Sequence, residues 1–169
     1  MEALDELSSL LKVDSASDLP TEELSVLEYC ERVRQILARQ SMEINAELHF
    51  DIPSNFKVQF YPAYLESVLF NLISNALRYH NPEKEPWVKV WQEDEPNFTR
   101  LFVADNGLGI DMEKHGDEIF KYRKTVHNHP DSSGIGLYLI RSQIESLGGE
   151  ISFKSILGEG STFCISIPK

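Results

Sequence analysis

The spacing of hydrophobic residues along the chain predicts an α/β fold that contains both helices and strands. Apolar residues recur every three or four positions in the segments that we expect to be helical: residues 4–11, 25–40, 62–78 and 132–147. Segments with strand character are residues 44–52, 87–91, 98–104, 151–155 and 161–167. Short turn sequences join the second strand to the third and the fourth to the fifth, so we expect two hairpins.

The same spacing indicates which side chains face the core. The helix after the predicted N-cap Ser25 has an inward stripe of Val26, Tyr29, Cys30, Val33, Ile36 and Leu37. The helix that begins near Pro62 has a second stripe of Leu65, Val68, Leu69, Leu72, Ile73 and Ala76. In the strand 44–52 the even-numbered residues are apolar, which places His49 on the solvent face.

Composition and charge narrow the class of protein. With 169 residues, of which 41% are hydrophobic and 25% charged, the chain has the profile of one soluble domain with a sizeable core. The net charge of -11 argues against nucleic acid or an anionic membrane as the main partner, because both require a basic face. Cys30 and Cys164 form no metal-ligand or disulfide pattern, so we expect reduced thiols in the cytoplasm. The sequence has no apolar run long enough to span a membrane.

The first candidate for chemistry is the stretch Val-Ala-Asp105-Asn-Gly107-Leu-Gly109-Ile110. Asp105 ends an apolar strand, where its carboxylate can accept hydrogen bonds from an amino group on a planar ligand such as adenine. Gly107 and Gly109 allow the backbone to approach such a ligand closely. Asp-Asn-Gly is also a common surface turn, so this stretch alone leaves a purely structural role open.

A second candidate is a polar stripe on the helix that follows Pro62. Asn71, Asn75 and Arg78 are spaced by four and three residues, which stacks them on one helix face. Asparagine is a poor helix former, so two in one helix interior require a reason. An amide oxygen can ligate Mg²⁺ and the guanidinium can neutralise phosphate, although hydrogen bonds to neighbouring carbonyls would also explain the amides.

Two further segments could hold an anion. Residues 111–133 lack sustained periodicity, and their second half is rich in lysine, arginine and histidine, which is typical of a long loop that acts as a lid. The glycines at 134 and 136 then open a helix whose free N–H groups can bind phosphate oxygens. A metal role for the histidines of this loop is the less favoured interpretation.

Taken together and in order, these motifs resemble the ATP-binding catalytic domain of sensor histidine kinases, within the superfamily of gyrase, heat-shock chaperone and mismatch-repair ATPases. The segment 71–79 is similar to that family's N box, 105–109 to its first glycine box, 119–121 to its phenylalanine box, 133–137 to its second glycine box and 158–163 to its third. Where many relatives have a second Phe after the phenylalanine box, this chain has Tyr122-Arg123-Lys124. The resemblance covers residues 19–169, and residues 1–18 would be the end of a dimerisation helix with a linker.

The resemblance implies the Bergerat fold, a two-layer sandwich with a mixed sheet of about five strands, helices on one face and an ATP lid. It implies ATP and Mg²⁺ as cofactors, with Asn75 as the metal ligand and with Asn71, Asn75 and Arg78 as the catalytic group. The residues that would contact the nucleotide are Asn71, Asn75, Arg78, Tyr79, Asp105, Gly107, Gly109, Ile110, Phe120, Lys121, Arg123, Ser133, Gly134, Ile135, Gly136, Leu137 and Thr162.

The resemblance also implies a reaction in two parts of a longer protein. Hydrolytic relatives have a Glu at the position of Asn71, and an amide cannot take a proton from water at neutral pH. Transfer to a histidine is therefore favoured, but the chain contains no helix with the family's phosphoacceptor sequence. The expected partners are a dimerisation domain that carries this histidine and a downstream response regulator. Two alternatives are a degenerate ATP-binding regulatory module and a serine kinase of the same fold.

Overall fold

The computed structural model describes residues 19–121 and 135–169. The predicted helix at 4–11 and the proposed boundary near residue 18 lie outside the described residues, as do the histidines at 127 and 129. In the described ranges, no helix combines the length and hydrophobicity needed to cross a membrane.

Strands and helices form the two layers that the sequence predicts. The strands are β1 Glu22–Ser25, β2 Glu47–Asp51, β3 Lys57–Phe60, β4 Trp87–Asp94, β5 Phe98–Asp105, β6 Glu150–Ile156 and β7 Gly160–Pro168. The helices are α1 Val26–Ile36, α2 Ala38–Glu43, α3 Pro62–Arg78, α4 Met112–His115 and α5 Gly136–Ser146. Pro62 occupies the first turn of α3, where its missing N–H leaves no hydrogen bond unmade.

The main sheet has five strands in the order β2-β4-β5-β7-β6. Strand β2 is parallel to β4, whereas β4-β5, β5-β7 and β6-β7 are antiparallel, so the sheet is mixed and both predicted hairpins are confirmed. Strand β5 lies at the centre, and it ends at Asp105. This topology places the Asp105 carboxylate at the end of the central strand, beside the C-terminal end of α3.

The core lies between the sheet and helices α1, α3 and α5. Each apolar residue predicted for α3 is buried, and so are the even-numbered positions Leu48 and Ile52 around β2. The prediction for Ile36 is wrong, because its side chain is 55% exposed. The buried stripe of α1 advances from Val33 to Leu37, which leaves Ile36 on the neighbouring, solvent-exposed face.

Three predicted boundaries are wrong. The strand expected to end at Trp91 continues to Asp94, because Glu93 and Asp94 still pair with Arg100 and Thr99 of β5. The helix expected over residues 25–40 is interrupted at Leu37, which has ψ 7°, and a second helix α2 follows it. The strand expected from Ile44 begins only at Glu47, because Asn45 adopts the left-handed conformation with φ 51°. Asparagine tolerates this conformation better than other residues with a side chain do, so a turn separates α2 from β2.

Two short features of the fold have no counterpart in the sequence predictions. Strands β1 and β3 form a separate antiparallel pair next to the main sheet. The expected loop after residue 111 begins with the helix α4, whose N-cap Asp111 accepts hydrogen bonds from the amides of Glu113 and Lys114 at 3.1 and 3.3 Å. A helix of four residues is too short to produce a periodic pattern.

Candidate nucleotide site

Asp105 lies at the end of β5 on the sheet face that packs against the helices, between Val88 of β4 and Ser161 of β7. Its Oδ1 accepts a hydrogen bond from the amide of Gly107 at 2.8 Å, and the backbone of Ser161 donates a second hydrogen bond. Burial raises the pKa of the carboxyl to about 6, while these two hydrogen bonds oppose the shift. The group is therefore ionised at neutral pH despite its partly buried position, and it can accept further hydrogen bonds.

The loop after Asp105 is held closely against two other parts of the chain. The amide of Leu108 donates to the carbonyl of Tyr79 at 2.9 Å, and the carbonyl of Leu108 accepts from the amide of Gly158 at 2.6 Å. A Cβ at Gly107 would lie 2.5 Å from the Tyr79 carbonyl oxygen, and Gly109 has φ 67° with its Cα facing the carbonyl of Ile156. Glycine is required at both positions because no side chain fits.

Asn106 has the structural role that the Asp-Asn-Gly sequence left open. Its side chain accepts from the amide of Trp87 and donates to the carbonyl of Glu85, both at 2.9 Å. Asn106 therefore fastens the start of β4 to the loop. The Asn106 side chain thus closes the turn, and the Asp105 carboxylate faces the helix layer.

The polar stripe of α3 is present as predicted and is partly buried. The amide nitrogen of Asn71 donates to the carbonyl of Ser67 at 2.8 Å, so its Oδ1 is directed the other way. A Cβ on Gly136 would lie 2.8 Å from that oxygen, which places the start of α5 directly against Asn71. Asn75 Oδ1 accepts from Arg78 Nη1 at a long 3.4 Å, and the guanidinium lies 6.0 Å from the ring of Tyr79. The three candidate groups thus lie along one face of the C-terminal half of α3.

A match to a known protein family identifies the class of protein to which this candidate site belongs. Residues 61–169 match the family described as "Histidine kinase-, DNA gyrase B-, and HSP90-like ATPase". The chain belongs to this family. The match spans the stripe of α3, the loop after Asp105 and the start of α5, which are the elements that meet at the site. The resemblance drawn from the motifs is confirmed, and as an ATPase domain the chain binds ATP.

Relatives of this ATPase domain include a histidine kinase and a sensor protein. It is 29% identical over 161 residues to the circadian input-output histidine kinase CikA of Synechococcus elongatus, covering 92% of this chain and 20% of CikA. It is 33% identical over 108 residues to the sensor protein SrrB of Staphylococcus aureus, covering 62% of this chain and 18% of SrrB. The chain thus spans about a fifth of the length of these curated relatives.

The fold of the ATPase domain is that of solved histidine kinase catalytic domains. The catalytic domain of histidine kinase ThkA superposes with a TM-score of 0.77 at 24% identity, covering 89% of this chain and 99% of that one. The mixed five-stranded sheet with its helices is therefore the fold expected of the family, and the chain is a catalytic ATPase domain of the sensor histidine kinase type.

The phenylalanine-box residues of the ATPase domain pack against the sheet. Ile119 is 1% exposed in the core. The ring of Phe120 lies edge-on to Phe153 and Phe163, with centroids 5.6 and 6.3 Å away, and the Arg141 guanidinium lies 5.7 Å from its centroid. These contacts anchor the chain just before residue 122. Contact between Phe120 and a nucleotide stays a prediction.

The remaining residues that were predicted to contact the nucleotide are spread over several elements. Ile110 follows the glycine loop, Lys121 is exposed, Ile135 is buried at the start of α5, and Leu137 packs partly on the core. Arg123, Ser133 and Gly134 lie outside the described residues.

The family resemblance predicts a nucleotide contact at Thr162 on β7, but the residue of this strand that contacts Asp105 is Ser161. Alternation along β7 places Thr162 on the opposite face of the sheet from Asp105, so its position does not support the predicted nucleotide contact. Ser161 is buried, and its register partner on β5 is Asp105. The sequence pattern could have identified Ser161, because Phe163 must face the core and residues 161 and 163 lie on the same face of the strand.

The donor set at the site fits a magnesium ion held mainly by phosphate and water oxygens. Among the described residues there is no cluster of three or more histidine, cysteine, aspartate and glutamate side chains that could hold a metal ion. Asn75 Oδ1 accepts a long hydrogen bond from Arg78, and it is a neutral oxygen donor of the kind that Mg²⁺ accepts alongside phosphates.

Proposed function

We propose that this domain binds ATP with Mg²⁺ and donates the γ-phosphoryl group to a histidine on a dimerisation and phosphoacceptor domain outside this chain. The observation that carries the proposal is the pairing of an ionised, partly buried Asp105 at the end of the central strand β5 with a helix stripe that presents amides and a guanidinium. The carboxylate suits the amino group of adenine, and the stripe suits the charged end of the nucleotide.

In the proposed reaction this chain positions ATP and neutralises its charge. An imidazole nitrogen of the acceptor forms a bond to the γ-phosphorus while the bond to the bridging oxygen breaks, and ADP leaves with that oxygen. Phosphoryl transfer depends mainly on positioning and electrostatic stabilisation, to which Arg78 and the Mg²⁺ bound through Asn75 would contribute. Asn71 cannot act as a base towards water, and its amide nitrogen is already bonded to the Ser67 carbonyl.

The histidines that the structure describes are poor candidates for the acceptor. His49 is exposed beside Glu47 on the strand at the far edge of the sheet, and His80 Nδ1 lies 2.8 Å from the Leu77 carbonyl oxygen. His115 ends the four-residue helix α4, and its Nδ1 lies 3.9 Å from Glu118 Oε2. None of the three belongs to an amphipathic helix of a dimerisation domain. We therefore propose that residues 1–18 connect to such a domain, that a response regulator receives the phosphoryl group in turn, and that the reaction takes place in the cytoplasm, where ATP is available.

The test is phosphoryl transfer in trans from radiolabelled ATP. The chain alone should bind ATP, hydrolyse it very slowly and stay unlabelled. Histidine-containing phosphoacceptor domains of sensor histidine kinases should be tested as acceptors. We expect label on an acceptor that is labile in acid and stable in alkali, and we expect Asn75→Ala to abolish it. Acid-stable label would indicate a serine kinase, and ATP binding without transfer to any acceptor would indicate a regulatory module.

A further inference from the structure

The hydroxyl of Ser155, near the end of β6, joins three elements at the nucleotide site. Ser155 Oγ accepts a hydrogen bond from the amide of Ile110 at 2.7 Å, and it donates to the carbonyl of Gly160 at 2.9 Å. It also lies 2.8 Å from Ser161 Oγ, its cross-strand neighbour in the hairpin register. The loop 105–110 and the first two residues of β7 thus form hydrogen bonds to one oxygen, Ser155 Oγ.

Only one arrangement of protons makes all three hydrogen bonds at once. A serine hydroxyl has one proton to donate and two lone pairs to accept with. Gly160 offers a carbonyl and must receive the proton, whereas Ile110 offers an N–H and must donate. Ser161 therefore donates its own hydroxyl proton to Ser155, and the hydrogen-bonding capacity of Ser155 is full.

This network ends at Asp105. The backbone of Ser161 donates to the Asp105 carboxylate, and a Cβ on Gly160, which has φ 133°, would collide with the Asp105 carbonyl oxygen. Ser155 therefore holds the two strand residues that set the position of the carboxylate, as well as the last residue of the loop that follows it. Removing one oxygen would leave an N–H, a carbonyl and a hydroxyl without their partner at Ser155.

We propose that Ser155 is a positioning residue for adenine recognition, which fixes Asp105 and the loop 105–110 in the geometry that selects ATP over GTP. The inference rests on the proposed binding of adenine at Asp105. Ser155 does not itself contact the base in this account. Its effect is transmitted through Ser161 and Ile110.

The test compares Ser155→Ala with Ser155→Thr, using calorimetric titration of the whole chain with ATP and with GTP. Threonine keeps the hydroxyl and suits a strand. We expect the alanine variant to bind ATP about 5- to 20-fold more weakly and GTP less than threefold more weakly, a loss of about one to two hydrogen bonds. The threonine variant should stay within about threefold of the parent for both nucleotides. Ser152→Ala, on the exposed face of the same strand, is the matched control and should change neither affinity.

An equal loss of ATP and GTP affinity in Ser155→Ala would overturn the proposal, because general loosening of the fold does not discriminate between bases. So would unchanged ATP affinity, or a threonine variant as weak as the alanine one. A measurement on the parent chain covers the case in which Ser155→Ala does not fold. The Ile110 amide should exchange with solvent deuterium as slowly as the Leu108 amide, and rapid exchange at Ile110 alone would contradict the proposal.

Asp105→Asn, titrated in parallel, separates this inference from the proposed function. If Asp105→Asn weakens ATP binding and Ser155→Ala does not, the role of Ser155 is wrong and the adenine site stands. If neither variant affects ATP binding, the adenine site itself is wrong.

Discussion

The two halves of the proposed nucleotide site, an adenine side and a phosphate side, are held in different ways. On the adenine side, the loop 105–110 is fixed mainly through its backbone, with hydrogen bonds to Tyr79, Gly158 and Ser155 between 2.6 and 2.9 Å. On the phosphate side, Asn71, Asn75 and Arg78 are side chains of one helix, and the contact between Asn75 and Arg78 is a long 3.4 Å. The first half is built mainly by tertiary packing, and the arrangement of the second half follows mainly from spacing along one helix.

The difference indicates which half is formed before ATP binds. A loop fixed by its backbone loses little conformational freedom on binding, so its hydrogen bonds to adenine are obtained at low entropic cost. Long side chains such as Arg78 lose rotamer freedom when a phosphate orders them. We therefore expect substitutions on the adenine side to change both stability and affinity, and substitutions on the phosphate side to change affinity or rate only.

The largest effect is expected for Gly109→Ala. A Cβ at this position collides with the Ile156 carbonyl oxygen in a backbone with φ 67°, so the loop must move. We expect the free energy of unfolding to fall by about 2–4 kcal/mol and ATP affinity to fall by about 100-fold or more. Denaturant unfolding and calorimetry measure the two effects.

Gly158→Ala is the matched control for that variant. Gly158 also has a positive φ of 84°, but within residues 19–121 and 135–169 no atom beyond its two chain neighbours lies within 4 Å of the position of its Cβ. It should therefore show only the conformational penalty, about 1–2 kcal/mol, with little loss of ATP affinity. Equal losses in the two variants would show that close packing of the loop is not what forms the adenine side.

Asp105→Asn should weaken ATP binding and stabilise the free protein. Loss of a charge-assisted hydrogen bond to the adenine amino group corresponds to about 1.5–3 kcal/mol, or about 10- to 150-fold in affinity, with a smaller loss for GTP. The Asn carbonyl can still accept from Gly107. Because burial raises the carboxyl pKa from 3.8 to about 6, ionisation at pH 7 opposes folding by up to about 3 kcal/mol, which the amide avoids.

The raised pKa of Asp105 predicts the direction in which the free energy of unfolding changes with pH. A group whose pKa is raised in the folded state stabilises the protein fully below pH 3.8, and this contribution is lost as the pH rises through about 6. The difference in unfolding free energy between Asp105→Asn and the parent should therefore grow from pH 4 to pH 7. A constant difference would contradict the buried, perturbed carboxyl.

Asn75→Ala should change metal-dependent affinity without changing stability. Alanine offers no oxygen to Mg²⁺, so ATP affinity measured with Mg²⁺ should fall to the value measured without it, on the order of tenfold. The melting temperature should match that of the parent, since Asn75 is only partly buried and its side-chain contact is long. Asn97→Ala in the exposed turn of the β4-β5 hairpin serves as the control, and a Mg²⁺ effect that persists in Asn75→Ala would remove this residue from the metal site.

The smallest expected effect is acid weakening of ATP binding. Protonation of Asp105 below about pH 6 replaces a charge-assisted hydrogen bond by a neutral one. ATP affinity should fall about three- to tenfold between pH 7.5 and pH 5. The phosphates of ATP titrate in the same range, so the quantity to compare is the pH dependence that the parent shows beyond that of Asp105→Asn. Identical pH profiles would mean that the carboxylate does not contact the base.

Local patterns in the sequence determined a large part of this protein. Helical spacing identified the buried stripe of α3 and, on the other side, Asn71, Asn75 and Arg78, because a single helix fixes both sets of directions. The end of β5 at Asp105 followed from an apolar run that stops at a carboxylate. The ordered glycine motifs indicated the family, which the match over residues 61–169 confirmed.

Tertiary structure decided what depends on contacts between distant segments. Ser161 and Ser155 entered the site only because β7 lies between β5 and β6, and a choice one residue away, Thr162, falls on the other face of the sheet. The raised pKa of Asp105 comes from burial by neighbouring strands and helices, and the need for glycine at 109 comes from a carbonyl of β6. Spacing along one element fixes directions within that element. Distances between elements depend on how the strands are ordered and packed, which no short stretch of sequence encodes.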